Sequence, residues 1–181
     1  MHRRRRTALL LTAAIAAAAP SLTACGNDAH PGAAAVVDGR RITVAQLEDR
    51  VDEVRAAQRA AVSDDAQYAQ AISRTGSLTR DTLQSMVIDR VLHRAAQDAG
   101  VTVSRKEVQR MRAGLERQAG GAEALETVWL QQYGIAPQRV DDNLRLQLEA
   151  QKLAEHLGTD TGQPAFWKAL SEASEELDIA L

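Results

Sequence analysis

From Thr79 onward, apolar residues recur three and four positions apart at Leu83, Met86, Val87, Val91, Leu92, Ala95, Ala96 and Ala99. That spacing stacks them on one face of a helix. Arg80, Asp81, Gln84, Asp89, Arg90, Arg94, Gln97 and Asp98 take the other face. The breadth of the apolar stripe predicts a helix buried along one side. Thr79 is the expected N-cap, with Asp81 in the first turn where the helix dipole favours a carboxylate. Gly100 suits the left-handed position after the last turn. Val101-Thr102-Val103 reads as an extended link, and Ser104 with Glu107 forms a capping box that opens another helix.

The remaining pattern places further elements on either side. Ala34–Val37 and Ile42 flank an Asp38-Gly39 turn signal, which predicts a short hairpin. Thr43 with Gln46 makes a second capping box. Leu47, Val51 and Val54 then continue in helical register to about Ala61, and Ser63-Asp64-Asp65 breaks the run. One or two helical turns are expected over Ala66–Ser73. The helix from Arg105 to about Gln118 carries a thin stripe of Val108, Met111 and Leu115 and stops at Gly120-Gly121. A short helix is predicted from Glu123 to Tyr133. After Pro137 a longer one runs from Gln138 to about Leu157. Gly158 to Gln163 is a linker, and Pro164 opens a last helix bearing Phe166, Trp167, Leu170, Ala173 and Leu177. Ile179–Leu181 is expected as a short strand that pairs with Ala34–Val37. The fold class is therefore mainly α, a multi-helix body with a minor β element joining its two ends.

The first residues read differently. Arg3 to Arg6, an apolar run from Ala8 to Ala19 and the small residues before Cys25 describe an export signal. The run falls short of the roughly 20 residues that a membrane-spanning helix needs. Leu22-Thr23-Ala24-Cys25 resembles a bacterial lipobox, in which the thiol accepts diacylglycerol and becomes the first mature residue. The alternative is an ordinary secretory signal with an incidental cysteine. The expected division is a lipoprotein signal peptide over 1–24, a flexible tether over 25–33, a helical domain over 34–157, a linker over 158–163 and a returning helix and strand over 164–181. With Cys25 as the only cysteine, no internal disulfide is available. Removal of 1–24 takes away four arginines and no acid, which moves the formal net charge from −2 to −6. A net acidic domain is not drawn to nucleic acid or anionic lipid by its overall field, so no nucleic-acid partner is expected.

No catalytic, cofactor or metal constellation stands out. His93 lies on or beside the apolar face of its helix without a matching cluster of ligands. Asp64-Asp65, Asp141-Asp142 and Glu175-Glu176 are sequence neighbours, which do not converge on one substrate atom. Aromatic residues make up only 3% of the chain, so the core is expected to be aliphatic. Trp129 and Tyr133 share a helix face, whereas the adjacent Phe166 and Trp167 cannot both point inward. One of each set is expected to fill the core. The competing reading is that Met111, Leu115, Trp129, Tyr133, Phe166 and Trp167 line an apolar groove for client segments, between the 105–133 helices and the last helix.

Several stretches resemble, in order, the N-terminal domain of the SurA family of envelope chaperones. Ala35-Val36-Val37-Asp38-Gly39, Ile42-Thr43 and Gln46-Leu47 resemble its opening strand, turn and first helix. Met86 to Glu107 resembles its buried helix and the capping box that follows. Gly120-Gly121, Tyr133-Gly134-Ile135 and Leu144 to Leu153 resemble its last helices. The resemblance implies a domain that holds unfolded or exported polypeptides without ATP; the lipobox separately implies an anchor through a diacylglyceryl, palmitate-bearing Cys25 on the extracytoplasmic face of the cell membrane. Many relatives carry a parvulin-type prolyl isomerase domain ahead of a returning helix. Here Gly158–Gln163 is all that separates the two helices, and His2, His30, His93 and His156 match no parvulin active-site pattern. Prolyl isomerisation and an interaction lipoprotein of the envelope are the alternative functions.

Overall fold

The computed structural model describes residues 32–73 and 76–181. The expected export signal, Cys25 and nearly all of the expected tether lie outside the described residues. The order is β1 (Ala33–Val37), β2 (Arg40–Thr43), α1 (Val44–Ala60), α2 (Asp65–Ser73), α3 (Leu78–Asp98), α4 (Arg105–Ala119), α5 (Ala122–Tyr133), a 3-10 turn (Pro137–Arg139), α6 (Val140–His156), α7 (Pro164–Glu175) and β3 (Ile179–Ala180). The fold is mainly helical with a small antiparallel sheet, as the hydrophobic pattern implies. Among the described residues no helix is long and apolar enough to cross a membrane.

The sheet joins the two ends of the described chain. Strand order is β2-β1-β3, with Val37 opposite both Arg40 and Ile179. Asp38 and Gly39 both take positive φ, 51° and 68°, the backbone of a two-residue turn whose twist matches the strands. Ala35, Val37 and Ile42 face inward. They pack with Val91 and Leu92 of α3, Leu153 and Ala154 of α6, and Phe166 and Leu170 of α7.

Two further clusters complete the core. Val108, Leu125, Val140 and Leu144 join α4, α5 and α6. Val54, Leu78, Leu130 and Ala136 join α1 to the start of α3 and the end of α5. Arg112 ties α4, α5 and α6 together by donating to Glu116, Glu126 and Asp141, at 2.7, 2.6 and 2.8 Å. Lys152 of α6 donates to the Thr102 carbonyl and to Glu107, which fastens the α3–α4 link.

Both expected capping boxes form, Thr43 with Gln46 and Ser104 with Glu107. The start of α3 differs from expectation. Ser77, not Thr79, occupies the cap position, and its hydroxyl donates to Asp81 instead of capping a backbone amide. Leu78 accounts for the shift, because burying it against Val54 and Leu130 makes it the first helical residue. Helix α6 begins at Val140, after a 3-10 turn opened by Pro137, and not at Gln138. Helix α7 ends at Glu175, although Leu177 beyond it still packs on the sheet-side core.

Candidate functional site

The structure separates the aromatic residues that the sequence singles out. Met111, Leu115 and Trp129 are partly buried against the α4–α5–α6 cluster. Trp129 also donates its indole N–H to Asn143 at 3.2 Å. Phe166 is 2% exposed within the sheet-side core, and Trp167 beside it is 54% exposed. Tyr133 is 63% exposed, with its ring set edge-on to Trp129. Each pair thus sends one ring inward and one outward. The α7 pair and the α5 pair belong to different clusters, since α7 packs on α3 while α4 and α5 pack on each other and on α4's neighbour α6. These six residues do not line one groove.

A cleft of about 620 Å³ opens elsewhere, between the end of α1, helix α2, the start of α3 and the end of α5. Its volume lies in the range of small-ligand sites, roughly 300–1,000 Å³. Local chemistry sets its walls. Asp64 accepts a hydrogen bond from the Gln67 amide and starts α2. Arg59 of α1 pairs with Asp65 at 2.7 Å and lies 5.0 Å over the Tyr68 ring, so one guanidinium holds α2 by charge and by cation–π contact. Helix α2 buries none of its residues fully. On the opposite wall α5 ends at Gly134, whose φ of 63° turns the chain away and leaves Tyr133 at the rim.

The lining is rich in carboxamides. Gln58 of α1, Gln67 and Gln70 of α2, and Gln131 and Gln132 of α5 all contribute. Five of the chain's 14 glutamines therefore gather among 14 lining residues, from three separate helices. Among the described lining residues Asp81 is the one formal charge. A second hollow of about 110 Å³ shares Leu78, Asp81, Tyr133 and Gly134 with the first and extends it toward Arg50, Asp89 and Arg139.

Charges organise this extension. Arg139 donates two bonds to Glu53, at 2.7 and 2.6 Å, and a third to Asp142 at 3.2 Å. The Arg139 hydrogen bonds hold the Glu53 carboxyl below its ordinary range, against an opposing effect of burial. Asp89 behaves oppositely. Burial pushes it up to about 6, Arg50 opposes the rise, and Glu149 and Asp142 add to it. Glu149 is itself 7% exposed, on α6, with His93 Nδ1 3.2 Å from one of its oxygens. Gln97 lies 2.9 Å from the other ring nitrogen, so a proton on Nδ1 satisfies both contacts. Among the described residues no group of three or more His, Cys, Asp and Glu side chains is arranged to hold a metal ion.

Sequence reasoning missed the glutamines and Glu149. Gln67 and Gln70 are three apart on α2, and Gln131-Gln132 precede Tyr133, but nothing local announces that the two helices face each other. Glu149 had a signal in its phase, since it falls between Leu146 and Leu153 on the face that meets α3.

A family model of the SurA-like N-terminal domain matches residues 2–134. The chain belongs to the SurA-like N-terminal domain family. Membership places it among chaperone-like proteins. Within the described residues the match takes in the hairpin and α1 to α5, the elements that bound the carboxamide cleft, and it leaves α6 and α7 outside. No curated protein and no solved structure matches this SurA-like chain.

Proposed function

We propose that this SurA-like protein is a lipid-anchored, extracytoplasmic chaperone-like factor that holds unfolded or exported polypeptides without ATP. The observation that carries the reading is the open cleft between α1, α2, α3 and α5, a concave surface within the family-matched segment. Its walls mix apolar and hydrogen-bonding groups. Such a surface suits reversible contact with extended chains, with no covalent step. The anchor rests on Leu22-Thr23-Ala24-Cys25 alone, and two acyl chains on that cysteine are enough for stable attachment.

Holding is tested by mixing the full chain with a chemically unfolded, aggregation-prone protein in the absence of nucleotide. Reduced light scattering at a few-fold molar excess is expected, and unchanged scattering contradicts the reading. The anchor is tested separately by growth with radiolabelled fatty acid. Label on the wild type and none on Cys25→Ser is expected; an unlabelled wild type removes the anchor and leaves the holding role standing.

A further inference from the structure

Resting on the holding role just described, we infer that the carboxamide-lined cleft grips the main chain of an extended polypeptide and discriminates against acidic segments. A glutamine side chain ends in the same amide group as a peptide bond, with one carbonyl acceptor and N–H donors. Carboxamides on two facing walls can thus pair with the N–H and C=O groups that a lone extended strand leaves unmatched on both edges. The lining draws such carboxamides from two helices. Gln67 and Gln70 stand on α2, and Gln131 and Gln132 on the facing end of α5. Among the described residues, no hydrogen bond to another protein group engages the side-chain amides of these four glutamines.

The floor supplies the second component. Leu78 and Leu130 lie beneath the carboxamides, with Val62 and Ala71 on the flanks. Alternate side chains of a strand point to one face, so half of the guest's side chains meet this small apolar floor while its amides meet the walls. Recognition through amides carries no sequence information, which is what a holder of many clients requires. Charge adds one filter. Among the described lining residues Asp81 is the only formal charge, so a carboxylate entering between these walls meets a like charge. A single exposed ring, Tyr133, borders the site, which offers an oligosaccharide little stacking surface.

The test uses the full chain and fluorescein-labelled decapeptides of alternating valine and serine. Companion peptides are N-methylated at odd residues, N-methylated at even residues, reversed in sequence, or carry glutamate in place of serine. At least one N-methylated peptide is expected to bind about tenfold more weakly, the loss of one or two amide bonds at roughly 1 kcal/mol each. The reversed peptide should match the parent, and the glutamate peptide should bind several-fold more weakly at low salt. The double variants Gln67→Leu/Gln131→Leu and Gln70→Leu/Gln132→Leu should lose affinity about fivefold with unchanged thermal unfolding, because the four side chains are exposed. Equal binding of parent and both N-methylated peptides overturns the inference, as does undiminished affinity in both double variants. Binding of a cell-wall oligosaccharide, lost in the same variants, in place of peptide also overturns it. A wild type that suppresses aggregation yet ignores N-methylation defeats main-chain recognition alone; one that does neither defeats the holding role as well.

Discussion

At the scale of single residues, Asp89 and Arg139 make opposite contributions to stability. Asp89 is half-buried and its carboxyl titrates near 6 in the fold, against an ordinary 3.8. The folded state therefore binds more protons than the unfolded state between those two values. Its contribution is full below about pH 4 and is lost as pH rises toward 6. Asp89→Asn should remove that slope and stabilise the protein at pH 7 by about 1–2 kcal/mol, each pH unit of displacement being worth about 1.4 kcal/mol before solvent screening reduces it. Urea unfolding at pH 4, 5, 6 and 7 checks both parts. The Glu53–Arg139 pair runs the other way. Glu53 is held below its usual 4.5, so its stabilisation is present above that value and fades as pH falls through the lowered pKa. Arg139→Met should cost about 1–2 kcal/mol at pH 7, and Arg139→Lys should recover only part, because an ammonium cannot donate the two parallel bonds seen here.

At the scale of elements, each segment's legibility follows the range of its contacts. The two capping boxes and the Asp38-Gly39 hairpin rest on residues three or fewer apart, and they form where the sequence places them. The pairing of β1 with β3 was also legible, because short β-branched or aliphatic runs at both ends have few other partners. The cleft was not. It depends on α2 facing the end of α5, set by Arg59 reaching Asp65 and Tyr68 across a chain break in helicity. No periodicity encodes that. The start of α3 was misplaced for the same reason, since Leu78 is drawn in by residues of α1 and α5. The final helix offers a direct test of element packing. Phe166 is 2% exposed and anchors α7 to the sheet and α3. Phe166→Ala should cost about 3–5 kcal/mol, whereas Trp167→Ala, at an exposed position, should cost under about 1 kcal/mol. Chemical denaturation of the two variants decides, and equal losses would contradict the assigned packing.

At the scale of the whole molecule, α3 and α6 form the frame on which three core clusters meet. Two of those clusters close the body, while the third sits beneath the cleft through Leu78 and Leu130. Helix α2 is the least embedded wall, with no fully buried residue, so it is the element best able to shift as a guest chain enters. Arg59→Ala, which removes the ion pair to Asp65 and the cation–π contact with Tyr68, should raise amide exchange in α2 several-fold and leave α3 and α6 protected. The central claim is that guest polypeptides lie in this cleft and not against the aromatic residues of α7. A photo-crosslinking amino acid in place of Gln131 or of Trp167, irradiated with an unfolded client bound, tests it most directly. Crosslinks to the client from position 131 and few from position 167 are predicted; crosslinks from 167 with none from 131 would contradict the account.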